Sequence, residues 1–146
     1  SVGGTLTYED VTNQDVIGLS TFRAGIKVLA GGVDIDGGGV DVVGVYKGNV
    51  TAVAASAIDC SLGNYFTKTI TGSTTFTFSN VPGSCVYSFT MEVTCNGSNS
   101  ITWPAAVKWP LDTAPTLTDG KTQLFTFITD DGGTRWRANS AVDYTN

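Results

Sequence analysis

The chain has 146 residues, 41% of them apolar, and a formal net charge of −5 with only eight Lys and Arg. That length suits one domain, or one domain with an accessory segment. So few cations cannot line a phosphate backbone, and no apolar run reaches the ~18 residues that a membrane-spanning helix needs. No nucleic-acid partner and no membrane insertion are therefore expected.

Charged residues make up 14%, against a usual ~25%. There are 18 Gly and no His, a composition that favours turns and strands over helices. Without His, a Ser–His or Cys–His nucleophile cannot be assembled. Glu92 falls on the polar face of its strand with no carboxyl partner at glycosidase spacing in view. No enzyme activity and no cofactor are expected. Residues 1–30 lack the basic start and long apolar centre of a signal peptide. A start without Met is what a fragment or a processed product would show.

In chain order, Gln14–Arg23 reads as a short, weak helix. Asp10, Thr12 or Asn13 would cap it, Val16, Ile17 and Leu19 give it a few apolar positions, and Ala24-Gly25 ends it. Then comes IKVLAGG, VDIDGGG, VDVVGVY (Ile26–Tyr46), one small unit written three times. Each copy opens with an apolar pair: Ile26 and Val28, Val33 and Ile35, Val40 and Val42. Three rungs of seven residues are too few for a coil that buries its own interior. Three copies of the chain around one axis would bury these pairs against each other and leave no open strand edge. A homotrimeric stem is therefore expected, with those six residues as its interior. A monomeric extension of the C-terminal domain and disorder remain the alternatives. Gly48–Ala57 is rich in small residues and reads as a connector.

From residue 58 the pattern becomes strand and turn. NYFTKTIT (64–71) puts Phe66 and Ile70 on one face, Gly72-Ser73 turns it, and TTFTFS (74–79) carries Phe76 and Phe78. Asn80-Val-Pro-Gly83 is a turn. VYSFTMEVTC (86–95) alternates Tyr87, Phe89, Met91, Val93 and Cys95 with polar residues, which marks one buried and one wet face. Asn96-Gly-Ser-Asn99 turns again. ITWP and VKWP are short strands stopped by Pro104 and Pro110. TQLFTFIT (122–129) is apolar on both faces and is expected to be central. Asp131-Gly-Gly133 is a hairpin turn leading into TRWRA. The expectation is an all-β fold: a C-terminal antiparallel β-sandwich, jelly-roll-like, preceded by the short helix and the stem. Residues 1–57 would form the trimerisation part and 58–146 the head.

The three cysteines, Cys60, Cys85 and Cys95, are an odd number without zinc-site spacing. Cys85 and Cys95 sit at opposite ends of one predicted strand, about 30 Å apart if extended, and cannot pair. Three buried or half-buried free thiols, as in a reducing cytosol, are expected.

Trp103, Trp109 and Trp136 are candidates for a platform on which sugar rings stack. The competing reading puts them in the core with their N–H groups aimed at carbonyls. Asp34, Asp36 and Asp41 in VDIDGGGVD are weak candidates for a Ca²⁺ cluster, because the EF-hand spacing and its final Glu are missing. Solvated carboxylates on the outer face of the rungs account for them as well, and no metal is expected. Asp130-Asp131 is turn chemistry. Asn49-Val-Thr51 and Asn96-Gly-Ser98 match the glycosylation sequon, a pattern frequent by chance.

The stretches GNYFTKTITGSTTFTFSNVP, YSFTMEV, ITWPAAVKWP, APTLTDGKT and FITDDGGTRWR make Asn64–Asn146 resemble the C-terminal domain of tail-fibre-like virion proteins of marine phages, cyanophages included. LTYEDVTNQDVIGLSTFRAGIKV resembles a segment that recurs in those fibres among Gly/Val/Asp-rich repeats. The similarity is loose only over about residues 29–57. The resemblance implies a trimeric, rod-like or knobbed appendage protein of the virion, assembled in the host cytoplasm and extracellular when mature. It implies structural display or attachment, with itself, other virion proteins and a host-surface glycan or protein as partners. The alternatives are a monomeric carbohydrate-binding module and an architectural capsid-decoration or filament subunit.

Overall fold

The computed structural model describes residues 26–28, 33, 35 and 39–145. The helix expected at Gln14–Arg23 lies outside them. The chain divides between Val43 and Gly44. The second unit, Gly44–Asn146, is all-β: its described residues form ten strands and only two short 3-10 turns.

Strands β1 (Val50–Ala52), β3 (Tyr65–Ile70), β6 (Tyr87–Cys95), β9 (Lys121–Thr129), β10 (Trp136–Thr145) and β8 (Val107–Lys108) form one sheet in the order β1-β3-β6-β9-β10-β8. Two pairs stand apart from it: β2 (Ala57–Asp59) with β5 (Thr77–Ser79), and β4 (Thr74–Thr75) with β7 (Ile101–Thr102). The six-stranded sheet is mixed. β6–β9 and β9–β10 are antiparallel, whereas β1–β3, β3–β6 and β8–β10 are parallel.

This corrects the expectation of an antiparallel domain. Gly72-Ser73 does turn the chain, but β3 does not pair with the strand after it. β4 and β5 leave the sheet for β7 and β2, and the chain returns to lay β6 beside β3 in parallel. Parallel neighbours need such a crossover, because a tight turn can only reverse direction.

The stretch 48–57 is likewise more than a connector. β1 pairs with β3 in parallel, and the Val53 N–H donates to the Thr67 carbonyl at 2.9 Å. Lys68 Nζ donates to the carbonyls of Val53 and Ala54. Small side chains let this edge strand lie close, with backbone hydrogen bonds supplying the affinity that apolar bulk supplies elsewhere. The head thus takes in residues N-terminal to the boundary expected after residue 57.

The core forms on one face of the sheet. β6 alternates as its sequence demands: Tyr87, Phe89, Met91, Val93 and Cys95 are buried. β9 is central as expected, between β6 and β10; its Gln123, Phe125, Phe127 and Thr129 side is dry, while on the other side Thr122 is buried, Leu124 is half-buried and Ile128 is exposed. Phe78 of β5 lies over this face, its ring 5.2 Å from Phe89 and from Phe127 and 5.1 Å from Trp136. Phe89 also stacks on Phe127 at 4.8 Å and meets Phe66 edge-on at 5.4 Å. Each such ring contributes about 1.5–3 kcal/mol through burial, and each good ring pair about 0.5–1.5 kcal/mol more.

The Asp131-Gly-Gly133 turn joins β9 to β10. Thr129 Oγ1 donates to Asp131 Oδ1 at 2.9 Å and accepts from the Gly133 N–H at 3.0 Å. The Arg135 N–H donates to Asp131 Oδ1 at 3.0 Å. Gly133 has φ +87, and a Cβ there would meet Val81 Cγ2 at 3.1 Å, so conformation and space both select glycine.

Candidate functional site

The apolar ladder before the head carries the feature that packing within the chain does not explain. Ile26, Val28, Val33, Ile35, Val40 and Val42, the six expected interior residues, are all exposed in the single chain. None of the described residues from Ile26 to Asn49 is in a strand. Val40 is 70% exposed. Beyond it, Val43 is 95% and Tyr46 82% exposed, with Val45 similarly bare. Sequence reasoning did not place these last three among the buried positions. The signal was present: VDVVGVY carries apolar residues at odd and even positions, so an extended chain there shows water two apolar sides.

Asp34 and Asp36 lie outside the described residues. Asp41 is exposed, and among the described residues no group of three or more Cys, Asp or Glu is placed to hold a metal.

The three tryptophans do not form an open platform. Trp136 is 1% exposed and packs against Phe78, Tyr87 and Phe89. Trp103 and Trp109 are half-buried, 5.8 Å apart, and both pack on Phe125 and Phe127. Phe76 stacks on Trp103 at 5.2 Å. The β7 and β8 strands are so short that the residues after them fold back onto the core, which is where large amphipathic rings bury most area.

The opposite face of the sheet is wet and rich in hydroxyls. In register, Tyr65, Thr90, Thr126 and Asn139 form one row, and Thr67, Glu92, Leu124 and Ala141 the next. Tyr65 donates its hydroxyl to Glu92 Oε2 at 2.8 Å, and that hydrogen bond pushes the phenol pKa up. Glu92, Thr122, Leu124, Tyr144 and Thr145 line a hollow of about 290 Å³. The hollow sits where β10 slips register between Ala141 and Tyr144, with Asp143 at φ +64. Such a bulge re-aims the strand end.

All three thiols are free, as expected, but Cys85 is exposed where a buried or half-buried thiol was expected. It sits in the loop before β6, outside the alternation that buries Cys95. Burial pushes the Cys60 thiol up to about 11. Burial likewise raises the Tyr87 phenol, whose hydroxyl donates to the Gly63 carbonyl.

Fold and site together define an all-β domain carrying an exposed apolar segment at its N-terminal side. No known family model, curated protein or solved structure matches the chain.

Proposed function

We propose that the chain is a virion structural and attachment module. In this reading the ladder assembles three copies into a stem, and each copy displays a β-sandwich head toward a host-surface glycan or protein. The single observation that carries the reading is the exposure of Val40, Val42, Val43, Val45 and Tyr46 in one chain. A run of large apolar residues facing water is the mark of an unsatisfied interface. Threefold closure satisfies it without an open edge that would go on to form filaments. The resemblance to phage fibre modules supports the same assembly. The contacts of Phe78 across to Phe89, Phe127 and Trp136 support the sandwich.

The role is non-catalytic in this reading, without cofactor or metal. A sequence without His offers no conventional base for a Ser or Cys nucleophile. Host contact falls to the loops and the hydroxyl-rich face, because the tryptophans are engaged in the core.

The Val40→Asp variant tests the assembly. Three carboxylates brought together in a dry stem cost several kcal/mol. Size-exclusion chromatography with light scattering is expected to show a folded monomer. A variant that keeps the trimeric mass would refute the stem assignment.

A further inference from the structure

We propose that Asn96 is a site of spontaneous covalent modification, converted through a cyclic imide to aspartate and isoaspartate, and that Asp119 sets the rate. Asn96-Gly97 is the one Asn-Gly dipeptide of the sequence. It lies directly after β6, with Asn96 exposed. Gly97 holds φ +101. Other residues rarely adopt that conformation, and glycine has no side chain to hinder ring closure onto the preceding amide.

The reaction needs no partner but water. The Gly97 nitrogen loses its proton to solvent hydroxide and attacks Asn96 Cγ. The new C–N bond closes a five-membered imide, and ammonia leaves from Nδ2. Water then opens either imide carbonyl, giving aspartate or isoaspartate. The balance is one water taken up and one ammonia released.

The nitrogen that must attack is held. The Gly97 N–H donates to Asp119 Oδ1 at 2.6 Å. A carboxylate at that distance opposes loss of the proton, because the nitrogen anion would face a like charge. It also ties down the atom that must swing toward Cγ. Asp119 is thus a brake on the reaction. The loop around it is tied down at several points: the Asn96 N–H donates to the Ile70 carbonyl at 2.9 Å, and Asn99 Nδ2 donates to the Asn96 carbonyl at 2.8 Å.

The product has a structural consequence. It sets a second carboxylate beside Asp119, and isoaspartate adds a methylene to the main chain. Cys95 Sγ donates to the Gly97 carbonyl at 3.1 Å and is only 1% exposed. Lengthening the backbone between them loosens the cover over that thiol.

The experiment ages the purified wild-type chain and the Asp119→Ala variant under native conditions, with wild type in urea as the unbraked reference. Peptide mapping reads the mass gain and the isoaspartate at Asn96. The folded wild type should convert at least about tenfold more slowly than the urea sample, the factor that one hydrogen bond to a charged group is worth. Asp119→Ala should recover most of that factor, and the aged wild type should gain Cys95 reactivity toward a thiol reagent. Equal rates in folded wild type and Asp119→Ala would overturn the brake, and no conversion in urea would overturn the site. Hydrogen exchange at the Gly97 amide of the wild type gives a reading that does not depend on the variant folding: slow exchange supports the brake, and exchange at the rate of a free loop overturns it.

Discussion

Phe89 sits at the centre of the head, with rings of Phe66, Phe78, Tyr87, Phe127 and Trp136 around it. Phe89→Ala removes one side of these ring contacts and leaves a cavity that this packing cannot collapse. A loss of about 3–5 kcal/mol in denaturant unfolding is expected, and a loss below about 1 kcal/mol would mean that the core is not packed as described. The thiols give a second test. Cys85 is exposed, while Cys60 and Cys95 are buried and the Cys60 thiol is pushed up to about 11. Near neutral pH a thiol reagent should therefore label one cysteine per folded chain and all three after unfolding. The alternation of β6 made its buried residues readable from the sequence, because period two admits no other dry face. The position of Trp136 was readable too, set opposite Arg135 and Arg137. Trp103 and Trp109 also pack against the core, as the core reading of the three tryptophans expected, although two-residue strands carry no period that assigns a face.

The turn between β9 and β10 was legible because its chemistry is local: Asp131, Gly132 and Gly133 specify it within a few residues. The Arg135 N–H, first, and then Thr129 hold the Asp131 carboxyl below its ordinary 3.8. A folded value below the unfolded one adds stability that is present above 3.8 and is lost as the pH falls through the folded value. Thermal midpoints of wild type and Asp131→Ala should therefore differ near neutrality and converge in acid. A gap that stays constant to the lowest pH would contradict this role. The partners of β3 and β5 were not legible. Both strands alternate correctly, yet alternation specifies a face and not a neighbour. The parallel pairings of β3 with β6 and of β2 with β5 are long-range choices made by the aromatic core. β1 was hidden for a different reason: Val50-Thr-Ala52 is held by backbone hydrogen bonds to an edge, and composition does not report those.

At the level of the whole chain, two kinds of apolar surface stand in contrast. The head buries its own large rings. The ladder from Val40 to Tyr46 leaves each of its large apolar residues at least half exposed in a single chain. The repeat was visible in the sequence, and with it came the expectation that sister chains would cover its apolar residues. In the proposed reading association covers it, and association is not displayed by a single chain. The central claim is that sister chains provide the missing walls. The most direct measurement is the mass of the purified wild-type chain by light scattering over a dilution series. Three times the 15.2 kDa of one chain, held down to low concentration, is the predicted result. A monodisperse, folded species of single-chain mass throughout would contradict it.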